Sequence, residues 1–316
     1  MKIRLITPAL ASARNGNSIT ASRWKRILSG LGHKLVVEQR YHGGSCDLVI
    51  ALHALHSFDS IRRFREEHPE LPLIVALTGT DLYRDIRKSP KARQSLELAT
   101  RLVVLQPRAT AELPEHLHAK TRVIYQSAKP VDGKTPQAKN GFRVCVIGHL
   151  RSEKDPLRTA MAARYLPDSS RLRVLHIGRA LSDELKRWAL AENQRNARYR
   201  WLGELPHWKT LLVLARSHLV ALTSRMEGGS NVLCEAIAAS VPVIASRIPG
   251  LVGTLGEDYP GYFPVGDSRA LARLLRQVES DPEFYRRLKA RCARLLPLVD
   301  PERERATWKA LLQEIS

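Results

Sequence analysis

Short apolar runs rich in β-branched residues alternate with amphipathic stretches along most of the chain, which is the pattern of repeated βαβ units. A first series of six runs comprises residues 2–7, 35–38, 47–52, 73–77, 102–105 and 121–124. A second series comprises residues 143–147, 173–177, 199–202, 219–223, 243–245 and 261–264. The pattern predicts two doubly wound α/β domains with parallel sheets, which bind ligands at the carboxyl ends of their strands.

A polar segment containing proline and glycine, residues 129–141 (KPVDGKTPQAKNG), separates the two series and has linker composition. A chain of 316 residues is also long enough for two domains of ordinary size. The predicted division is an N-terminal acceptor-side domain at 1–130, a linker at 131–141, a C-terminal domain at 142–295 and a tail at 296–316. We expect the tail to be helical and to cross back to the N-terminal domain.

The net charge of +20 favours anionic partners, which include nucleic acid, acidic membrane surfaces and phosphorylated small molecules. The 37 arginines form no dense run, and only 6% of the residues are aromatic, so a nucleic-acid partner is disfavoured. No apolar run reaches membrane-spanning length, which predicts a cytoplasmic protein without an integral membrane segment. The four cysteines form no C-x-x-C pair, and we expect buried thiols.

Residues 219–239 (LVALTSRMEGGSNVLCEAIAA) predict a strand, a turn with two glycines, and a helix that begins near Ser230 or Asn231. Gly228 and Gly229 let the backbone approach an anion, and Ser230 is placed to cap the helix. The free N–H groups of the first helical turn would point at the anion. The segment therefore predicts a phosphate site.

Glu227 and Glu235 flank this turn. A carboxylate beside a diphosphate would repel it, so these side chains suit sugar hydroxyls, one on a donor sugar and the other on a ribose. The competing interpretation is a plain turn followed by a solvated helical glutamate. The buried strand VPVIAS at 241–246 favours the functional interpretation, because it encloses the helix within a βαβ unit.

A second candidate element follows the first strand of the C-terminal domain, where RVCVIG runs into HLRSEKDPLRTA. Gly148 ends the strand, and Arg151 and Lys154 then lie at the open edge of the sheet. There they would neutralise a diphosphate leaving group. For an isolated R-x-x-K pair, the alternative is two solvated loop charges.

The motifs G-x-L-x-x-E-K at 148–154, E-G-G-x-x-x-x-x-E at 227–235 and PVIAS at 242–246 together resemble the retaining GT-B glycosyltransferases of family 4. The resemblance implies the GT-B fold, in which two Rossmann-like domains face each other across a cleft. It also implies a donor site in which Arg151 and Lys154 contact the diphosphate, Glu227 the transferred sugar and Glu235 the ribose. The remaining implied donor contacts are Asn231, Val232 and Leu233 through their backbones, and Gly203 near the base. His149 stands where family members often carry arginine, and Arg151 would replace that charge.

Family members also carry a histidine in the acceptor domain near the donor sugar. His53 and His56 are the candidates here, with His53 preferred as a catalytic residue; a core or loop histidine is the alternative. The neighbouring strand ends are candidates to frame the acceptor, through Gly16 and Asn17 of a flexible turn and through Thr80 and Asp81 of TGTD.

More narrowly, TPALASARNGN, TGTDLY and YQSAKP resemble the selenosugar synthases of selenoneine biosynthesis. That resemblance implies transfer from UDP-N-acetylglucosamine or UDP-glucose to selenophosphate, with release of UDP. A small anionic acceptor would be drawn to a cleft lined by Arg14, Lys129, Arg151 and Arg225.

The chain contains no Asp-x-Asp and no histidine and cysteine cluster with zinc-ligand spacing, so we expect a donor site without metal and an enzyme without a cofactor. Two alternatives stay open. One is a glycosyltransferase with a lipid, lipopolysaccharide or other hydroxyl acceptor at a membrane surface, and the other is a regulatory module that binds a nucleotide or nucleic acid.

Overall fold

The computed structural model describes residues 1–8, 16–130 and 141–315. The chain folds into two compact units. The N-terminal unit consists of Met1–Gln126, Glu227–Gly229 and Pro301–Ser316, and the C-terminal unit consists of Ser127–Met226 and Ser230–Asp300. Almost all of the predicted linker, 131–141, lies outside the described residues, and the domain boundaries derived from the sequence stay predictions.

The N-terminal unit contains a six-stranded parallel sheet in the order β2-β1-β3-β4-β5-β6. Its strands are β1 (Lys2–Ile6), β2 (Lys34–Glu38), β3 (Leu48–Leu52), β4 (Leu73–Ala76), β5 (Arg101–Val104) and β6 (Thr121–Val123). The chain begins at an inner strand, adds β2 on one side and then adds β3 to β6 on the other. The sheet is therefore doubly wound. The side on which successive strands are added reverses between β1 and β3, and this position is the switch of direction of the sheet.

Helices cover both faces of this sheet: α1 (Gly16–Gly30), α2 (Phe58–Glu67), α3 (Ile86–Lys88), α4 (Pro90–Leu98) and α12 (Pro301–Gln313). Side chains of β3 alternate between the two faces. Ile50 packs in the same cluster as Trp24 of α1, and Val49 packs in the cluster that contains Phe64 of α2. Both faces are buried, which explains why β3 is apolar at every position.

The C-terminal unit repeats the architecture with the strand order β12-β11-β10-β7-β8-β9. Its strands, again all parallel, are β7 (Phe142–Ile147), β8 (Leu172–Ile177), β9 (Tyr199–Trp201), β10 (Leu219–Leu222), β11 (Val243–Ser246) and β12 (Tyr262–Phe263). Its helices are α5 (Arg158–Ala163), α6 (Asp183–Arg195), α7 (His207–Ala215), α8 (Asn231–Ala238), α9 (Pro249–Leu255), α10 (Ser268–Ser280) and α11 (Pro282–Ala293). In this sheet the side on which strands are added reverses between β7 and β10, which is its switch of direction.

The two predicted parallel sheets are confirmed, and every predicted strand is present within two residues of its expected ends. The flexible turn predicted at Gly16 and Asn17 is wrong, because both residues belong to the first turn of α1. All four cysteines are buried thiols, as expected. No helix in the described ranges combines the length and the apolar character needed to cross a membrane.

The final helix, α12, packs on α1 within the N-terminal unit. Trp24 and Trp308 are both fully buried and meet edge to face, with ring centroids 4.7 Å apart. Glu304 accepts a 2.8 Å hydrogen bond from the Trp24 indole and pairs with Arg23 at 3.0 Å. The buried carboxylate is thus satisfied by an aromatic N–H and a guanidinium, so an apolar helix face tolerates one glutamate.

We expect Trp308→Ala to lower the free energy of unfolding of the N-terminal unit by about 3–5 kcal/mol, because it leaves a cavity against Trp24. The matched control is Trp208→Ala, whose side chain is 64% exposed and whose loss should change that free energy by less than about 0.5 kcal/mol. Urea unfolding followed by circular dichroism measures both. Equal effects of the two substitutions would contradict the packing described for α12.

Candidate functional site

In the C-terminal unit, the loops after β7 and β10 lie at the switch of direction, where the order of strand addition reverses. These two strands are neighbours, and their parallel pairing matches Leu219 with Val144 and Val220 with Cys145. The chain leaves β7 toward β8 and leaves β10 toward β11, so the two loops diverge at the carboxyl edge. Open α/β sheets bind ligands in the crevice that such a divergence creates.

Hydrogen bonds join the two loops. The Thr223 hydroxyl, directly after β10, lies 3.0 Å from the carbonyl oxygens of both Lys154 and Asp155 and shares its one proton between them in a bifurcated hydrogen bond. The backbone N–H of Arg225 donates a hydrogen bond to the carbonyl oxygen of Glu153 at 2.8 Å. Thr223 is only 3% exposed, so water competes little for these bonds. The two loops therefore form one frame with a fixed shape.

The frame carries the basic residues that the sequence predicted. Lys154 ends a 3₁₀ turn, Ser152–Lys154, and a Cβ atom at Gly148 would lie 3.7 Å from its side-chain carbons. Arg151 precedes this turn and is half-buried. Gly148, Arg151 and Lys154 thus lie on one loop at the carboxyl edge of the sheet, and their contacts with a diphosphate stay a prediction.

Asp155 organises two further cations at this edge. Its backbone is left-handed (φ 43°), which ends the 3₁₀ turn. Its carboxylate accepts a 2.9 Å hydrogen bond from Arg158 and lies 3.5 Å from Arg225. Arg225, a predicted binding residue, is thereby attached to the loop that carries Lys154.

Helix α8 begins where the sequence predicted, with Ser230 as its N-cap. The Ser230 hydroxyl accepts the N–H of Leu233 at 3.3 Å. The cap already uses the Leu233 N–H, which corrects the expectation that this group is offered to a phosphate. Asn231 and Val232 lie in the first turn of α8, whose N–H groups point out of the end of the helix.

Glu235 lies in the second turn of α8 with its side chain 12% exposed. Its Oε1 accepts a 2.8 Å hydrogen bond from Nε2 of His207, the first residue of α7. This hydrogen bond, and the negative charge of Glu235, raise the pKa of His207. Neither the sequence motif nor the resemblance indicated this partner.

The loop after β7 rests on the ends of β8 and β9. His176 is 1% exposed; its Nε2 donates to the Gly148 carbonyl oxygen at 3.2 Å and its Nδ1 accepts from the Tyr199 hydroxyl at 2.9 Å. Gly178 has φ 153°, and a Cβ there would lie 1.9 Å from the Gly148 oxygen. Its N–H donates to the carbonyl oxygen of Gly203 at 2.8 Å, so the predicted residue Gly203 borders the same loop.

In the N-terminal unit, His53 follows the carboxyl end of β3. It is 2% exposed and has a left-handed backbone (φ 74°), a strained conformation for a residue other than glycine. Its Nδ1 accepts from the His56 N–H at 3.3 Å, so its Nε2 carries the proton and donates to the Thr80 hydroxyl at 3.0 Å. The structure therefore brings His53 and Thr80 together.

Asp81 serves a different purpose from the predicted one. It is fully buried, and its carboxylate accepts the N–H groups of Thr78, Gly79 and Ala54 at 2.9, 2.8 and 3.1 Å. These bonds shape the loop after β4 and leave the carboxylate no exposed surface for a substrate. Asp81 begins a π-helical turn, Asp81–Asp85, a local geometry frequent at functional sites.

One group of three side chains in the described ranges, His53, His56 and Asp85, has metal-ligand atoms within 4.8 Å of one another. The two imidazole rings lie 4.1 Å apart and are tilted by only 33°. The Nε2 of His53 lies 3.0 Å from the Thr80 hydroxyl and 3.7 Å from Oδ2 of Asp85.

Gly228 and Gly229 are required by packing within the N-terminal unit. A Cβ on Gly228 would lie 2.5 Å from the backbone of Thr78, and one on Gly229 would lie 2.6 Å from the Leu105 side chain. The sequence interpretation, that these glycines let the backbone approach an anion, missed this requirement. Glu227, beside them, is 8% exposed.

The remaining predicted residues are more scattered. Gly16 is exposed and Asn17 half-buried at the start of α1, and Lys129 is exposed in the C-terminal unit. Arg14 lies outside the described residues. Its grouping with Lys129, Arg151 and Arg225 stays a prediction.

Residues 127–294 match the protein family described as Glycosyl transferases group 1. The match covers more than half of the chain and includes both loops at the switch of direction in the C-terminal sheet. The chain belongs to this glycosyltransferase family. It is a glycosyltransferase, as the resemblance to family 4 implied.

Sequence relatives and solved structures agree with this assignment. This glycosyltransferase is 24% identical to "Glycosyltransferase 1 domain-containing protein 1" of Xenopus tropicalis, over 98% of this chain and 97% of that one. Its structure resembles sucrose-phosphate synthase of Thermosynechococcus elongatus, with TM-score 0.79, 17% identity, and 99% and 98% of the two chains covered. It also resembles Anabaena HepE, solved with UDP and glucose, with TM-score 0.77, 16% identity, and 99% and 100% covered. At these identities, the structural likeness establishes the GT-B fold.

Five residues of this glycosyltransferase that contact the predicted site residues, or the loops that carry them, were not predicted from the sequence: Thr223, His176, Gly178, His207 and Asp85. Thr223 and Gly178 stand directly after strands, so their positions were a usable signal. The other three depend on contacts between elements that are distant in sequence.

We expect His176 to make stability depend on pH. Burial lowers the pKa of His176 from 6.5 to about 4, so unfolding below about pH 6.5 takes up a proton that the folded state excludes. The stabilisation is complete above about pH 6.5 and is lost as the pH falls toward about 4. Between about pH 7.5 and about pH 5, the free energy of unfolding should fall by about 2 kcal/mol more in the parent protein than in His176→Gln. Equal pH slopes in urea unfolding would contradict this.

Proposed function

We propose that this glycosyltransferase transfers a sugar from UDP-N-acetylglucosamine or UDP-glucose to selenophosphate, forming a selenosugar as in selenoneine biosynthesis. Membership of the glycosyltransferase family supports the reaction class. The fold shared with HepE, which was solved with UDP and glucose, supports a UDP-sugar donor. The sequence segments TPALASARNGN, TGTDLY and YQSAKP support the acceptor, through their resemblance to selenosugar synthases.

The observation that carries the donor assignment is the hydrogen-bonded frame at the switch of direction in the C-terminal sheet. Thr223 fixes the backbone of Lys154, and Arg151 lies on the same loop. Cations held on a fixed backbone stabilise charge that develops on a leaving diphosphate without having to reorganise. In this proposal Arg151 and Lys154 are the catalytic cations.

The other donor groups follow the family resemblance. Glu227 would accept hydroxyls of the transferred sugar, and Glu235 would accept those of the ribose. The first turn of α8, from Asn231, would direct its N–H groups and the positive end of the helix dipole at the diphosphate. Gly203 would border the base. The reaction needs no cofactor.

The reaction is a substitution at the anomeric carbon. The selenium of selenophosphate attacks this carbon, a carbon–selenium bond forms, and the bond from the carbon to the diphosphate oxygen breaks. The electron pair of that bond leaves with UDP, whose growing negative charge is met by Arg151 and Lys154. The selenium keeps its phosphoryl group in this step, and attack of water on the phosphorus then breaks the phosphorus–selenium bond and releases phosphate and the selenosugar. Selenium in this anion is already nucleophilic at neutral pH, so a general base is dispensable.

The surroundings of His53 are compatible with such an acceptor. Both of its ring nitrogens face protein groups, Thr80 and the His56 N–H, and the ring is buried. We therefore assign His53 an orienting role at the end of β3 rather than proton transfer. Loss of its side chain should impair turnover less than loss of Lys154.

A second candidate acceptor is a hydroxyl group of a lipid or lipopolysaccharide at a membrane surface. The net charge of +20 favours an anionic surface. In addition, α6 exposes Trp188, 52% accessible, beside Lys186 and Arg187, and aromatic and basic side chains suit membrane interfaces.

The test is mass spectrometry of the purified protein incubated with UDP-N-acetylglucosamine and freshly prepared selenophosphate. We expect a selenium-containing sugar, and we expect Lys154→Ala to lower its rate of formation by about 100- to 1000-fold. The matched control is Lys186→Ala, an exposed lysine on α6 of the same unit, which should leave the rate unchanged.

Absence of any selenosugar, with UDP-sugar still bound, would refute selenophosphate as the acceptor and direct the search to hydroxyl acceptors in vesicles of anionic lipid. A selenosugar that forms equally fast in Lys154→Ala would refute the assigned catalytic cation.

A further inference from the structure

The pair of His207 and Glu235 lies within the C-terminal unit and links the start of α7 to the second turn of α8. The two atoms, His207 Nε2 and Glu235 Oε1, are 2.8 Å apart. The Glu235 side chain is 12% exposed, whereas that of His207 is 61% exposed. A mostly buried carboxylate is thus approached from the solvent side by an imidazole that donates to it.

The pair contributes little to stability, because an ion pair with one strongly exposed partner is worth at most about 1 kcal/mol. Its geometric effect is larger. With Oε1 held by His207, the carboxylate can no longer rotate freely about its last bond. Its second oxygen, Oε2, accepts no hydrogen bond from any described residue, so one acceptor with a fixed direction remains.

A ribose presents two neighbouring hydroxyl groups, and each can donate one hydrogen bond to a carboxylate oxygen. Binding is stronger when the acceptor is already held in the bound orientation, since less side-chain freedom is then lost. We infer that His207 is a positioning residue for the nucleotide: it holds Oε1 of Glu235 so that Oε2 meets the ribose hydroxyls. This inference rests on the proposed function, in which Glu235 binds the ribose.

The opposite role for His207 makes an opposite prediction. If the imidazole occupied the oxygen that the ribose needs, it would compete with the nucleotide, and its removal would tighten binding. The sign of the change in affinity therefore separates positioning from competition.

The experiment is titration calorimetry with UDP and with 2′-deoxy-UDP on the parent protein, His207→Ala and His207→Gln. We expect His207→Ala to weaken UDP binding by about 5- to 10-fold, the size of one well-oriented hydrogen bond. The same substitution should change the affinity for 2′-deoxy-UDP by less than about 2-fold, because this nucleotide lacks one of the two hydroxyls that donate hydrogen bonds to Glu235. Glutamine places an N–H near the position of Nε2 and should restore much of the preference for UDP.

The matched control is His116→Ala. His116 forms a similar pair with Glu97, at 2.9 Å and with side chains 63% and 55% exposed, in the N-terminal unit. Its removal should leave both affinities unchanged. Thermal unfolding of each variant checks that the fold is intact.

The outcomes separate the two hypotheses. If the parent protein prefers UDP over 2′-deoxy-UDP and His207→Ala keeps that preference or binds UDP more tightly, the inference about His207 is refuted and the proposed function stands. If the parent protein binds no UDP, or binds both nucleotides equally, the ribose role of Glu235 is refuted, and the inference about His207 fails with it.

Discussion

The Thr223 hydroxyl is the contact on which the candidate site of the C-terminal unit depends. Two loops diverge at the carboxyl edge of the sheet, one after β7 and one after β10. The bonds from Thr223 to the carbonyl oxygens of Lys154 and Asp155, at 3.0 Å each, make them one body. Together with the bond from the Arg225 backbone N–H to the Glu153 carbonyl oxygen, this connection fixes the cations on the first loop relative to the start of α8.

Buried polar groups also set the backbone at the other strand ends. The Asp81 carboxylate accepts hydrogen bonds from three backbone N–H groups and so shapes the loop after β4. His176 donates a hydrogen bond to the carbonyl oxygen of Gly148. Close backbone approaches at Gly178 and Gly228 leave no room for a Cβ. Asp81 and Gly228 were predicted from the sequence to contact a ligand. In the structure they fix the conformation or the packing of the loop backbone.

The architecture could be predicted because periodicity reports burial directly. Strands such as β3 are apolar throughout since both faces of a parallel sheet are covered, and the cap at Ser230 is a local signal. The glycosyltransferase assignment followed from spaced motifs in loops. What local patterns do not contain is pairing across elements: His207 with Glu235 and Thr223 with Lys154 are separated by 28 and 69 residues. The packing requirement at Gly228 was missed for the same reason, because the backbone that excludes a side chain there is that of Thr78.

The most direct measurement is the affinity of UDP for Thr223→Val, determined by titration calorimetry. Valine keeps the shape of threonine and removes the hydroxyl that joins the loops. We expect UDP to bind about 10-fold more weakly, as for the loss of one buried hydrogen bond at a site that depends on it. Thr254→Val, a buried threonine on α9, should bind UDP like the parent protein. Unchanged affinity in a folded Thr223→Val protein would contradict a donor site built on the joined loops.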